Sequence, residues 1–490
     1  MLSIVVAAVI AGAFAVWQFT NRAPNIPTVA MATADQSPQS KSLARDLLIK
    51  LANLQGNTAD SIRLVELGDT GSGKPDLIFE VSAGRDARAL SAGLVLLAGK
   101  DRAILWSQDF QQPSNKPADL QQQLAYTAAR VLGCALEALA PNGQQLSQTV
   151  VKLYLNGCAT LGQTYAYDTS QVIPIFAKVT EKAPRFESAW AKLLVAERDH
   201  FESLTLADQK AMAPLIRRRI DAARKVNPDL AEAYLSERVL VPGGDLIERM
   251  RLSDRAIAVD PNNIHVLSVR GGDLMDVGRV RDALDAARRA SLVDPLSPAM
   301  RNGYIAALTY AGRTTNALEE LERAERLWPG ASTLIDARFR IGLRYGDPAE
   351  ALKIMRSGAV PTGGIREYFL EARLNPTKAN VDRAVTATRS ALYREPYVIT
   401  ELIQTLGEFQ REEELYPLLS NWQTPELASY IGSILFRPAL TRFRQDPRFM
   451  TVAARLGLLT YWQKSGKWPD FCFESDLPYD CEAEGAKIAA

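Results

Sequence analysis

Cys134 and Cys158 stand 24 residues apart, and Cys472 and Cys481 stand 9 apart. Neither spacing is that of a CxxC zinc site or dithiol redox motif. In an oxidising compartment the four read as two structural disulfides; in a reducing one they are four unrelated thiols. The two histidines, His200 and His265, lie far apart in helical sequence. So few histidines argue against imidazole metal sites and histidine-based triads. Gly68-Asp-Thr-Gly-Ser-Gly73-Lys74 fits the GxxxxGK part of a phosphate-binding loop. That loop needs Ser or Thr next, to hold magnesium, and then a helix facing the phosphates. Here Pro75 and the strand-like run DLIFEVS follow, so the segment reads as a glycine-rich turn between strands, without nucleotide binding. The carboxylates are spread along helical faces. No nucleophile, acid–base pair or ligand set converges, so the expectation is a non-enzyme with no cofactor and no metal.

The elements that position these residues follow a period. Pro261, Pro295 and Pro329 are 34 residues apart, and Gly278/Gly312/Gly346, Ala283/Ala317/Ala351 and Leu284/Leu318/Leu352 keep the same step. A period shared by four residue classes marks one unit copied along the chain. A 34-residue unit is a helix–turn–helix that stacks on its own copies. Small residues let the paired helices approach, Gly278 and Gly312 fall at the turn between them, and proline opens the next segment, where a missing N–H is harmless. Upstream, Pro228 and Pro261 are 33 apart, while Pro184 lies 44 before Pro228, which predicts an insertion around His200–Asp208. After Gly346 the pattern blurs: Pro361 and Pro396 keep a similar pitch but the small residues do not. Atypical terminal units of this kind cap an exposed apolar face.

With 490 residues the chain is too long for one core. Its 47% hydrophobic and 23% charged content is ordinary, and a net charge of +1 sets up no overall field to draw nucleic acid. Leu2 to Phe19 carries no charge. As a helix it would span about 27 Å, close to the hydrocarbon core of a bilayer, and Trp17 suits the interfacial belt. A cleaved signal peptide, with Ala30-Met31-Ala32 as cleavage context, is the rival, but the run is long for one and nothing basic precedes it. Arg22 mildly opposes export by the positive-inside rule, and the paired cysteines favour it.

The fold class predicted is mostly α: a transmembrane anchor over 1–20, a Pro/Ser/Ala-rich linker over 21–40, and a small α/β domain over 41–145. An α-solenoid of six to eight helical hairpins over 146–425 and a helical cap with a Cys-containing tail over 426–490 complete it. In the α/β domain a helix is expected at Ser42–Leu54, strands at Ser61–Leu67, Asp76–Ser82, Leu90–Ala98 and Ala103–Phe110, and a closing helix at Asp119–Leu139.

From about Val150 to Ser420 these features resemble a tetratricopeptide repeat (TPR) array, with Leu267 and Arg301 where the family usually has a large aromatic. In that family the first helix of each pair lines a concave groove. The resemblance implies a peptide or protein partner there, at His265, Ser268, Asn302, Tyr310, Asp336, Arg340 and Arg344. Arg340 and Arg344, one turn apart, would clamp a carboxylate; a solvated helical face is the alternative for each residue. Ala103-Ile-Leu-Trp106-Ser107-Gln-Asp109-Phe110, followed by Asp119-Leu-Gln121 and an Ala-rich helix, is similar to the small domain of bacterial membrane proteins with periplasmic TPRs. That domain resembles the N-terminal domain of the TolB translocation protein. Asp446-Pro447-Arg448-Phe449, Leu456-Gly457-Leu458 and Tyr461-Trp462…Gly466-Lys-Trp468-Pro469-Asp470-Phe471-Cys472 look like that family's C-terminus. Its members often carry a winged-helix DNA-binding domain, as in CadC-like regulators, or a class III adenylate cyclase domain before the span; Met1 begins almost in the membrane here. The resemblance implies a single-pass bacterial inner-membrane protein with a periplasmic, partner-binding scaffold or sensor region and no nucleic-acid contact by this chain. The alternative is the sensory half of a one-component transcriptional regulator or adenylate cyclase whose cytoplasmic domain is absent from the chain. Oligomeric state stays open.

Overall fold

The computed structural model describes residues 26–55, 62–67, 74–139, 145–163, 169–360, 364–395, 398–421 and 428–489. The expected membrane span, Leu2–Phe19, and the turn Gly68–Gly73 lie outside the described residues. Among the described residues no helix is long and apolar enough to cross a membrane. The chain divides into two compact units between Ala125 and Tyr126.

The first unit is built on a sheet of order β2-β1-β3-β4-β5. Its strands are β1 (Thr28–Thr33), β2 (Arg63–Glu66), β3 (Leu77–Arg85), β4 (Ala89–Ala98) and β5 (Ile104–Pro113). β1 pairs in parallel with both β2 and β3, and β3-β4-β5 form an antiparallel meander. Parallel neighbours need a crossover. Helix α1 (Pro38–Gln55) supplies it between β1 and β2, burying Leu43, Leu47 and Leu51, one turn apart. β1 departs from the sequence expectation, which has a linker over 21–40. Val29, Ala30 and Met31 are buried there as an interior strand. A strand covered on both faces has no alternation to read, and Pro27 and Pro38 disguised this one as a loop. Cleavage at Ala30-Met31-Ala32 would cut through the sheet.

α2 (Pro117–Leu139) leads from the first unit into the second. Among the described residues the second unit then holds eight consecutive helix pairs. The first four are α3/α4 (Gln148–Gln163, Ile173–Lys182), α5/α6 (Glu187–Ser203, Leu206–Val226), α7/α8 (Ala231–Val239, Leu246–Val259) and α9/α10 (Ile264–Asp276, Val280–Val293). The others are α11/α12 (Pro298–Tyr310, Thr314–Leu327), α13/α14 (Ser332–Arg344, Pro348–Arg356), α15/α16 (Gly364–Leu374, Lys378–Leu392) and α17/α18 (Ile399–Glu408, Glu412–Ser420). The 34-residue beat coincides with the fourth to sixth pairs. Ala283, Ala317 and Ala351 are fully buried on the second helices. Gly278 and Gly312 turn the chain between partners with φ of +79° and +70°, a region glycine enters without a Cβ penalty. The longer pitch before Pro228 goes into helix length: α5 has 17 residues and α6 has 21, with only Leu204 and Thr205 between them.

Residues 428–489 leave the stack. They form α19 (Ala428–Leu435), α20 (Thr441–Arg444), α21 (Phe449–Arg455), α22 (Leu458–Ser465) and α23 (Cys481–Ala489), with 3-10 turns at Pro438–Leu440 and Asp470–Phe473. This tail folds back on the middle of the array. Phe436, Phe449, Trp462 and Phe471 share a core with Leu274, Val277 and Val280. Trp462 is fully buried and its Nε1 donates to the Val277 carbonyl at 3.0 Å. A side chain on Gly432 would run into the Asp276 backbone, so α19 lies close against α9. Both expected cysteine pairs are bonded: Cys134–Cys158 ties α2 to α3 inside the second unit, and Cys472–Cys481 ties the last 3-10 turn to α23.

Candidate functional site

The residues named for a groove lie on the first helices of the fourth to sixth pairs, and the fold divides them into three groups. Ser268 is exposed on α9, as is Gly272 one turn later; Gly303 is exposed on α11. Among the described residues a methyl group on either glycine would meet no atom within 4 Å. Glycine inside an exposed helix costs up to about 1 kcal/mol against alanine, and no packing demand explains these two.

The second group is joined across α11 and α13. Arg340 donates from Nη2 to Asn302 Oδ1 at 2.6 Å and pairs through Nε with Asp336 at 3.0 Å. Arg344 pairs instead with Glu401 of α17 at 3.3 Å, and Tyr310 receives Arg437 from the tail. The two guanidiniums of the expected clamp therefore already hold carboxylates of the chain.

His265 stands apart. It borders a cavity of about 550 Å³ with Glu137, Glu187, Lys192 and Glu232. Burial, helped by the charges of Arg198, Lys192 and Arg130, holds its pKa well below the usual histidine range, so the ring is neutral at pH 7.

The tail contacts were not legible in sequence. Asp470 sits at the N-terminus of α10: its Oδ2 accepts from the Arg281 amide at 2.8 Å, and its own N–H donates to the Gly278 carbonyl at 3.0 Å. A carboxylate there meets both an orphan amide and the positive end of the helix. The only local signal is Pro469-Asp470, which says nothing about which helix is capped. Beside this contact a cavity of about 450 Å³ opens between the tail and the turns at Gly278 and Gly312, bordered by Arg281, Tyr310, Arg313 and Arg444.

A further set of buried charges lies on the earlier helix pairs and on α9. Arg238 forms hydrogen bonds with both oxygens of Asp273, which also accepts from Ser253. Burial pushes Glu197 up to about 7 although Arg219 opposes it, and burial with Asp273 nearby does the same to Asp276. Among the described residues no group of three or more His, Cys, Asp or Glu could hold a metal ion.

No known protein-family model and no curated protein matches the chain. Solved structures of helical-repeat proteins are similar to it at low levels. PilF of Pseudomonas aeruginosa is 19% identical over 41% of this chain and 94% of its own, with a TM-score of 0.29. A tetratricopeptide repeat protein from Parabacteroides merdae is 13% identical over 53% of this chain and 100% of its own, with a TM-score of 0.33. Yeast Tom70 is 18% identical over 65% of this chain and 71% of its own, with a TM-score of 0.34. At such scores the paired-helix reading stands on the helices described above.

Proposed function

We propose that this chain is a non-enzymatic, tetratricopeptide-like scaffold that binds a peptide or protein partner on the face bearing Ser268, Gly272 and Gly303. The observation that carries the reading is the pair of unexplained exposed glycines. On adjacent first helices they remove side chains where nothing among the described residues needs the room, so a partner's backbone can approach closely. The proposal extends to place: an anchor over Leu2–Phe19 in a bacterial inner membrane, with the array in the periplasm. Two disulfides and no free cysteine among the described residues support an oxidising compartment.

The test is a photo-crosslinking amino acid at Ser268 or Gly303 of the full chain in cells, with Tyr393, 92% exposed on the seventh pair, as control. The expected result is one adduct, shared by Ser268 and Gly303 and absent at Tyr393, that disappears when Gly272 is changed to Leu. Equal adducts at all three positions, or indifference to Gly272→Leu, would overturn the reading.

A further inference from the structure

The sheet of the first unit ends on one side with β2, four residues long, and on the other with β5, ten residues long. The Ser114 N–H donates to the Arg88 carbonyl at 3.0 Å, and that bond fixes the alternation along β4 and β5. Trp106, Gln108 and Phe110, opposite Leu96, Leu94 and Ala92, turn their backbone groups towards β4. Ser107, Asp109 and Gln111 turn theirs away. These three are exposed, and no described residue bonds to their outward N–H or carbonyl groups. Native sheet edges are usually blunted by Lys, Pro or a bulge. From Trp106 to Gln112 the β5 edge has none of these: the register shift of the pair falls between Ile104 and Trp106, and Pro113 comes after.

The residue classes of the strand say what fits this edge. Around Gln108 they form a palindrome, Trp106-Ser107-Gln108-Asp109-Phe110: aromatic, small polar, glutamine, small polar, aromatic. Trp106 and Phe110 are buried on one face of the sheet, and Ser107 and Asp109 are exposed on the other. An antiparallel second copy with Gln108 opposite Gln108 preserves both faces. Trp106 then lies beside Phe110 of the copy, and Ser107 and Asp109 exchange their outward backbone bonds. Centring the pair on Asp109 instead sets two carboxylates directly opposite each other, which is destabilising. Centring it on Ser107 sets Asp109 against Leu105, which the register shift leaves without a partner on β4.

We propose that β5 pairs with β5 of a second copy of this chain about a two-fold axis through Gln108, joining the two sheets into one. An isologous contact of this kind uses both long edges at once, so assembly stops at a dimer. It involves the first unit alone and does not rest on the Ser268 face.

The test is copper-catalysed oxidation of cells expressing single-cysteine variants of the full chain, with sedimentation velocity of the purified chain in detergent as the second measurement. The four native cysteines are bonded to one another, so the introduced thiol is the reactive one. Residues facing each other in a non-hydrogen-bonded pair stand about 4.5 Å apart, within reach of a disulfide. Gln108→Cys should therefore give a covalent homodimer, whereas Ser107→Cys and Asp109→Cys, each facing the other position, should not. Charge tests the same register at exposed positions that touch no core. Ser107→Asp creates two like-charge pairs and should weaken the dimer about tenfold; Ser107→Lys creates two opposite-charge pairs and should tighten it by about as much. A chain that is monomeric at every concentration would overturn the proposal. So would a homodimer linked through Ser107→Cys or Asp109→Cys in place of Gln108→Cys, a Gln108→Cys adduct to a different protein, or equal weakening by Ser107→Asp and Ser107→Lys.

Discussion

Arg437 grips the hydroxyl of Tyr310 across 127 residues of sequence, with Nε at 3.1 Å and Nη2 at 3.0 Å, while its Nη1 donates to Gln404 at 3.0 Å. The guanidinium also lies 5.3 Å from the Tyr310 ring centroid. One buried side chain thus joins the tail to the fifth and eighth helix pairs. Arg437→Ala should cost about 3 kcal/mol in urea unfolding, because it strands a half-buried phenol and the buried Gln404 amide. Arg437→Lys should recover only a part, since an ammonium cannot reproduce the planar fork.

Asp470→Ala should cost about 1 kcal/mol as a lost helix cap. Amide exchange at Arg281 should rise sharply, while exchange at Ala349, capped by Asp347, stays unchanged. Asp470→Asn should retain most of the stability, because asparagine also caps helix N-termini.

The middle of the array was open to reading because its physics is local. Gly278 and Gly312 needed left-handed backbone, and Ala283, Ala317 and Ala351 needed to be small where paired helices touch; both demands recur every 34 residues. β1 escaped because Val29, Ala30 and Met31 are buried on both faces and show no alternation. The commitments of Arg344 to Glu401 and of Tyr310 to Arg437 escaped for another reason. They join residues 57 and 127 apart, and a contact at such range leaves no periodic trace in either segment. Ser268 is exposed on its helix, whereas His265 borders a separate cavity near the start of the same helix.

Stability should depend on pH through Glu197. Its folded pKa of about 7 lies above the ordinary 4.5, so the folded state holds the proton more tightly than the unfolded one. The contribution is complete below pH about 4.5 and is lost as pH rises through about 7. Asp276 acts in the same direction. Tm should therefore fall between pH 5 and 7.5, and Glu197→Gln should flatten that slope in scanning fluorimetry. A slope unchanged in Glu197→Gln would show that this carboxyl does not titrate in the window.

Replacing Cys134 and Cys158 together by serine should cost about 3 kcal/mol in the chain-entropy picture, with the second unit losing more than the first. Mass mapping of non-reduced peptides should recover Cys134 with Cys158 and Cys472 with Cys481. Free thiols at all four positions would remove the main support for a periplasmic location.

A chain beginning at Ile26 should keep the cooperative unfolding transition of the first unit. One beginning at Ala34 should lose it, because β1 bonds to two neighbours and its removal leaves β2 and β3 without their shared partner. Circular dichroism melts of the two chains decide the point.

Trp462 meets Val277 across 185 residues, and that distance has a meaning in time. At ribosomal speeds of about 5–20 residues per second, α9 and α10 wait roughly 10–40 s between their own synthesis and that of the tail that covers them. Through that interval Leu274 and Val277 present an uncovered apolar surface, and α10 lacks its cap. Residues 428–489 end that exposure once they are synthesised and fold back on α9 and α10.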